Sequence, residues 1–143
     1  MRKKVIMSIT VALLACILLV GLTSCMKIGM KQNAIESRLK EAGASISYVR
    51  TTPMTAQAKG YVFEDLIRST KTYTRNVEGQ DTEITEELYI IFCGNDSTAD
   101  WTENACKTYI SDNKKESDKW LSYRYDRIVM CGYYELLSIA RNY

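Results

Sequence analysis

Histidine is absent from this chain of 143 residues. Its absence removes the most frequent general base, the most frequent zinc ligand and the usual sensor of near-neutral pH. Any catalytic site would have to be built from carboxylate, tyrosine, lysine or cysteine side chains. Proline occurs once, and no stretch rich in proline, glycine or serine marks a linker between domains. The length fits one domain.

An excess of charge of one sign is also lacking. The whole chain has a net charge of +2, but three of its 19 basic residues, Arg2, Lys3 and Lys4, lie at the amino terminus. The residues after position 24 include 16 basic and 17 acidic ones. A nearly neutral domain with interspersed signs lacks the basic stripe that binds a phosphate backbone, so we exclude nucleic acid as a partner.

The long apolar run of the chain lies at its amino terminus. It spans Val5 to Leu22 and is interrupted only by Ser8, Thr10 and Gly21. A short positive segment followed by such a run is typical of a secretory signal peptide. The alternative is an uncleaved transmembrane helix, since about 18 apolar residues begin to suffice for a span. Either interpretation places the rest of the chain outside the cytoplasm, because positive charge stays on the cytoplasmic side.

Leu22, Thr23, Ser24 and Cys25 resemble the lipobox of bacterial lipoproteins, in which an apolar residue and two small residues precede a cysteine. The resemblance implies removal of residues 1 to 24 as a signal peptide. It also implies a diacylglycerol, with fatty acids such as palmitate, on Cys25 at the outer face of the cell membrane. Two acyl chains anchor a protein stably, because each buried CH₂ contributes about 0.8 kcal/mol. Residues 25 to 29 would then form a lipidated tether, and residues 30 to 143 a single domain.

Apolar periodicity predicts both helices and strands in that domain. The predicted helices have apolar residues at helical spacing and are Met30 to Ala42, a segment opened by a capping box of Ser97 and Asp100, and Tyr134 to Arg141. The predicted strands have alternating or continuous apolar residues and are Ser45 to Thr51, Ser69 to Arg75, Leu88 to Cys93, and Tyr123 to Cys131.

Two further segments connect these elements. Asn76 to Glu86 is polar and acidic, which predicts a long exposed loop between two antiparallel strands. Thr52 and Pro53 fit the start of a helix. The apolar residues from there to Ile67 favour a helix, or a helix that runs into a strand.

Together the elements predict an α+β fold. It would have a small mixed or antiparallel sheet of three to four strands, helices mainly on one face, a ferredoxin-like element order, and a preceding N-terminal hydrophobic helix. The last strand, helix and strand should form a right-handed crossover, with Leu88 to Cys93 parallel to Tyr123 to Cys131. The element order resembles that of small lipoproteins of Gram-positive bacteria, and such a likeness carries no function.

Three cysteines, Cys93, Cys106 and Cys131, remain once the signal peptide is removed and Cys25 is acylated. In two parallel strands, Cys93 and Cys131 would lie at the same end of the sheet, which makes them a candidate disulfide. The alternative is that all three are buried free thiols, because cysteine often serves as a small apolar side chain. We predict no metal site, since the chain has no CxxC spacing and no histidine.

Acidic clusters offer weak catalytic or metal-binding candidates. Asp96, Asp100 and Glu103 could form one acidic face, but their spacing is not that of a Ca²⁺ loop, and helix capping explains the two aspartates better. Adjacent pairs such as Glu86 with Glu87 point to different faces, which suits neither acid nor base work on one substrate.

Aromatic residues are the most unusual feature of the domain, which contains all ten tyrosines of the chain. A cluster near the carboxyl end predicts a binding surface, because amphipathic rings bury area while their polar tips stay hydrated. Its members are Trp120, Tyr123, Tyr125, Tyr133 and Tyr134. The alternative is that these rings fill the core and margins of the sheet.

The sequence therefore favours a membrane-anchored extracytoplasmic lipoprotein that is not an enzyme and has no cofactor. Its predicted partners are the membrane, through the lipid, and a protein, peptide or cell-wall component of the envelope. The alternatives are an accessory subunit of a membrane complex with a transmembrane N-terminal helix, and a carboxylate-dependent hydrolase. The hydrolase requires two carboxyl groups converging at about 5 to 9 Å in one pocket.

Overall fold

The structure, a computed structural model, describes residues 30 to 142. The predicted signal peptide or N-terminal helix (residues 1 to 24), Cys25 with its tether to residue 29, and Tyr143 lie outside the described residues. Within residues 30 to 142, no helix is both long and apolar enough to cross a membrane.

The described residues form an α+β fold. Its helices are α1 (Gln32–Glu41), α2 (Asp96–Asn113) and α3 (Tyr134–Arg141), with a short 3₁₀ turn at Glu116–Asp118. Its strands are β1 (Ser45–Tyr48), β2 (Phe63–Val77), β3 (Gln80–Cys93), β4 (Trp120–Tyr125) and β5 (Ile128–Tyr133). The strands form one sheet in the order β1-β2-β3-β5-β4, and all neighbours are antiparallel.

Helix α1 confirms the prediction for Met30 to Ala42, and Gly43 follows its C-cap residue, Ala42. Gly43 has φ +84°, a conformation that costs glycine little. Its N–H donates to Lys40 O at 3.0 Å, and the N–H of Ala44 donates to Leu39 O at 2.9 Å. This pair of hydrogen bonds is a Schellman motif, with the apolar contact of Leu39 and Ala44 beneath it.

The predicted loop from Asn76 to Glu86 is wrong. Strands β2 and β3 pair from Phe63 opposite Cys93 to Val77 opposite Gln80, and only Glu78 and Gly79 connect them. Both turn residues have positive φ, 54° and 84°, as a two-residue type I′ hairpin turn requires. Of the four acidic residues in this segment, Asp81 and Glu83 are exposed strand residues, Glu86 is a buried strand residue, and Glu78 lies in the turn.

The predicted strand from Tyr123 to Cys131 is two strands. A turn at Asp126, with φ 53°, separates β4 from β5, and β5 rather than β4 lies beside β3. The predicted parallel crossover is also wrong, because α2 leads to a hairpin whose second strand pairs antiparallel with β3.

Two apolar cores lie on opposite faces of the sheet. On one face, α1 and α3 cover Ile67, Leu88, Ile90 and Met130. On the other face, α2 covers residues that alternate with these, Leu66, Ile91, Val129 and Cys131 among them. The prediction of helices mainly on one face is thus wrong, as is the strand number of three to four. The sheet has five strands, because the segment taken for one strand forms two, and the ferredoxin-like element order is not confirmed.

The segment between β1 and β2 is irregular rather than helical. Residues 53 to 57 form turns, held by reciprocal hydrogen bonds between Thr52 and Thr55, whose side chains are buried. The apolar residues from Phe63 onward begin β2. The bonds between Thr52 and Thr55 have the form of a capping box, but no helix follows, since the chain turns at Gly60, with φ +78°, and then enters β2.

Candidate binding site

A notch in the sheet is the candidate site. Strand β5 pairs with β3 from Ile128 to Gly132, and its last residue is Tyr133, whereas β3 continues from Leu88 back to Gln80. Residues 71 to 86 therefore extend beyond the neighbouring strands as a two-stranded arm. We call the corner between this arm and the end of β5 the notch.

The notch is a crevice of about 390 Å³. The arm forms one side, and the chain between α2 and β4 forms the other. Its lining residues are mostly polar or aromatic and are Tyr73, Arg75, Ile84, Thr85, Glu86, Lys114, Ser117, Asp118, Lys119, Trp120 and Tyr133.

Glu86 is the buried polar group of the notch. Glu86 is only 6% exposed, and the Tyr73 hydroxyl donates to Glu86 Oε1 at 2.7 Å. This hydrogen bond, with burial as the second cause, raises the pKa of Tyr73 to about 12. Burial, followed by the charge of Glu86, raises the pKa of Tyr133. At neutral pH both tyrosines are donors, and one orients the carboxylate of Glu86.

Trp120 forms an apolar wall of the notch. Its ring lies 5.9 Å from that of Tyr109 and 6.3 Å from that of Tyr89, centroid to centroid. The Lys114 ammonium lies 3.9 Å from the centroid of the Trp120 ring, a cation–π contact. Packing on two rings and a cation fixes the indole in place and holds a positive charge at the rim.

Backbone hydrogen bonds fix the connector that carries this rim. The Lys115 N–H donates to Asp118 Oδ2 at 2.8 Å. Lys119 adopts a left-handed conformation with φ 53°, and its carbonyl accepts from the Tyr134 N–H at 2.9 Å. The connector is therefore tied both to itself and to the start of α3.

The five predicted aromatic residues do not form one surface. Side chains alternate along a strand, so Trp120 and Tyr133, which are register partners, reach the notch together. Tyr123 lies on the opposite face of β4, where the Arg141 guanidinium sits 3.6 Å from its ring centroid. Tyr125 and Tyr134 are exposed and do not line the notch. Of the five aromatic residues predicted to form a binding surface, only Trp120 and Tyr133 line the notch.

The candidate disulfide rested on parallel strands, and that premise is wrong. In the antiparallel register Cys131 lies opposite Tyr89, four residues along β3 from Cys93. Cys93, Cys106 and Cys131 are buried free thiols, as the alternative interpretation held. Burial raises the pKa of Cys93, and the hydrogen bond with Cys131, then burial, raises that of Cys106. Raised thiol pKa values make both sulfurs poor nucleophiles.

The acidic residues at the start of α2 form ion pairs. Arg124 binds both Asp100 and Glu103, and Arg127 Nε lies 2.9 Å from Asp96 Oδ1. The capping prediction for the two aspartates is wrong, because Asn95 caps the helix by accepting from the Thr98 N–H at 2.8 Å. No group of three or more histidine, cysteine or acidic side chains in residues 30 to 142 is placed to hold a metal ion.

Sequence reasoning missed Glu86 and Tyr73 as site residues. Two signals for a long hairpin were available. Ile84, Glu86 and Leu88 recur at every second position, as residues on one face of a strand do, and Gly79 suits a two-residue turn. The chain matches no protein-family model, no curated protein and no solved structure.

Proposed function

We propose that this chain is an extracytoplasmic module, anchored to the cell membrane by a lipid on Cys25, that binds a protein, peptide or wall component without catalysing a reaction. We also propose that the notch is its binding site. The observation that supports this choice is the buried carboxylate of Glu86, which Tyr73 orients at the wall of an open crevice.

The composition of the notch supports binding. Ligand sites are commonly crevices of about 300 to 1,000 Å³ with apolar walls and a few fixed polar groups. Trp120 supplies an apolar wall, Glu86 a fixed acceptor, and Lys114 a cation at the rim. Each of the three is held by contacts within the described chain, so a ligand would meet an organised surface.

The carboxylates of the notch are poorly suited to hydrolysis. Glu86 accepts a hydrogen bond from Tyr73, and Asp118 accepts one from the backbone of Lys115. The groups with raised pKa values are tyrosines, which stay protonated at neutral pH and so cannot act as bases. These observations favour a binding role over the carboxylate-dependent hydrolase.

The anchor is tested by the intact mass of the full chain extracted from membranes. We expect a species that begins at Cys25 and carries a diacylglycerol, and we expect its loss in Cys25→Ala. Cys16→Ala is the matched control, because it removes a thiol from the apolar run and should leave the lipid in place. A full-length chain without lipid would contradict the proposal and indicate a transmembrane anchor.

The site is tested by photo-crosslinking in cells. A photoreactive amino acid replaces either Lys119, at the notch, or Thr108, on the exposed side of α2. We expect a crosslinked species from position 119 that is absent from position 108 and lost when Glu86→Gln is added. Glutamine keeps the shape of the side chain but removes its charge. Identical products from both positions, or an unchanged product with Glu86→Gln, would show that the notch is not the site.

A further inference from the structure

Strand β3 has a free edge. Within residues 30 to 142, β5 pairs with β3 only between Leu88 and Phe92, and no strand lies on that side of residues 80 to 86. Such an edge carries unpaired backbone donors and acceptors that can pair with an added strand. The notch lies at the inner end of this edge, where β5 stops.

The direction of the free backbone groups follows from one hydrogen bond. The Cys93 N–H donates to Arg127 O at 2.8 Å, on the side of β5. Successive residues of a strand point their amides to opposite sides, so odd-numbered residues of β3 point theirs toward the β5 side. Asp81, Glu83 and Thr85 therefore present their N–H and C=O groups at the free edge.

Asp81 and Glu83 also place two acidic side chains beside that edge, and we call this pair the acidic row. Alternation along β3 puts Asp81, Glu83 and Thr85 on the α2 face of the sheet, together with Ile91 and Cys93. Their partners on β2 are Asn76, Thr74 and Thr72, which carry no charge. Asp81 and Glu83 are exposed, and neither has an ion pair within the described part of the chain.

Charge then decides what fits this edge. Oppositely charged side chains directly across two strands are favourable, whereas like charges are unfavourable. A second copy of the chain paired through the same edge would bring acidic rows together. A strand with basic residues opposite Asp81 and Glu83 would neutralise them. At the inner end, Lys114 and Lys119 line the notch, so an uncharged residue suits that position better than a basic one.

We infer that the free edge of β3 binds an extended peptide segment as an added strand, with basic residues opposite Asp81 and Glu83. Main-chain hydrogen bonds to Asp81, Glu83 and Thr85 would supply part of the affinity, and the acidic row would select the sequence. The inference rests on the proposed binding function and names the class of its ligand.

The probe is a capped heptapeptide with lysine at its fourth and sixth positions and threonine or valine elsewhere. Paired antiparallel from Glu86 outward, it sets the lysines opposite Glu83 and Asp81. Binding to the full lipid-anchored chain in detergent is measured by calorimetry and by amide hydrogen exchange. We expect slower exchange at Asp81, Glu83 and Thr85. An otherwise identical peptide with glutamate in place of both lysines should bind at least about tenfold more weakly, from two reversed cross-strand pairs.

Variants of the chain complete the test. The double variant Asp81→Lys with Glu83→Lys should lose at least about tenfold in affinity for the lysine peptide and gain affinity for the glutamate peptide. Asp112→Lys replaces one acidic residue by lysine at an exposed position on α2. This variant should bind both peptides as the parent chain does. Because the glutamate peptide tests the charge rule on the parent chain, the result does not depend on the variants folding.

Three results would overturn the inference. One is binding of the lysine peptide without slower exchange at the three amides, since strand addition must protect them. Another is equal affinity of the parent chain for both peptides. The third is protection of the edge that appears with protein concentration alone, which would show that a second copy occupies it. A fourth result, that neither peptide binds, would also overturn it. If the Glu86-dependent crosslink persists in that case, the notch remains a binding site and only the class of ligand is wrong.

Discussion

The hairpin of β2 and β3 contains two regions that share a backbone geometry but not an environment. Its base, residues 63 to 70 and 87 to 93, lies between β1 and β5 with helices on both faces. Its arm, residues 71 to 86, has no strand on either side within residues 30 to 142 and is largely exposed. The register continues without a shift from Asp65 to the turn, so pairing alone does not distinguish the two regions.

The difference shows how flanking elements divide one hairpin into a buried and an exposed region. Every residue from Leu88 to Cys93 is buried, because both faces of the base are covered. Along the arm, threonine and charged side chains keep the hairpin soluble, and isolated two-stranded ribbons are marginally stable. The arm therefore depends on the base for its stability, and its outer backbone edges have no strand beside them within residues 30 to 142.

Amide hydrogen exchange should separate the regions most strongly. Ile90 and Thr82 are even-numbered residues of β3, and both direct their amides to β2. We expect Thr82 to exchange about a thousandfold faster or more, because the arm can open locally whereas the base opens only with the whole fold. Similar protection at the two positions would show that the arm and base unfold as one unit.

Truncation of isoleucine should be costly in the base alone. Ile90 is fully buried, so Ile90→Ala should lower the free energy of unfolding by about 3 kcal/mol or more, through lost burial and a cavity. Ile84→Ala removes the same atoms from the arm, where the side chain is half-buried, and should cost about 1 kcal/mol or less. Urea unfolding followed by circular dichroism measures both. Equal losses would mean that the arm has core-like packing.

Two glycines allow a matched comparison of backbone constraints. A Cβ at Gly132 would lie 2.3 Å from Glu87 O and 2.6 Å from Leu88 Cα, so Gly132→Ala should cost about 3 kcal/mol by forcing β5 away from β3. Gly79, at the tip, has φ +84°, and a Cβ there would meet no other atom within 4 Å. Gly79→Ala should cost only about 1 to 2 kcal/mol, from the left-handed backbone. Thermal unfolding of the two variants gives the ranking, and a reversed order would contradict the close approach at Gly132.

The smallest of these effects on stability should come from Tyr73, at the junction of arm and base. Its pKa is raised to about 12, above the unfolded value of about 10. The hydrogen bond to Glu86 therefore contributes stability that is fully present below about pH 10 and is lost as the pH rises toward 12. Glu86→Gln should return the pKa of Tyr73 toward its ordinary value. NMR titration of ring-labelled tyrosine measures this pKa, and an ordinary value in the parent chain would remove the Glu86 contact from the site.

Part of the fold could be predicted because local signals fixed it. The stripe of Ile35 and Leu39 with Gly43 after it defined α1, and the apolar run from Leu88 to Cys93 defined the buried part of β3. The strand from Ser69 to Arg75 was predicted and lies within β2, but residues 76 to 86 of the arm were missed because polar strand residues in solvent resemble a loop. The turn at Asp126 was also missed. Of the site, Trp120 and Tyr133 were predicted, whereas Glu86 and Tyr73 were not, because their proximity depends on the register of the hairpin.

By itself, the sequence determined the α+β class, the positions of α1, α2 and α3, and the prediction of a lipid on Cys25, since each depends on residues close together in the chain. Only the tertiary structure decided that β5 lies between β3 and β4, that helices cover both faces, and that Glu86 faces a notch. These features depend on which strands become neighbours. Several pairings bury the same apolar residues, so the choice among them is made by packing over the whole sheet rather than by any local pattern.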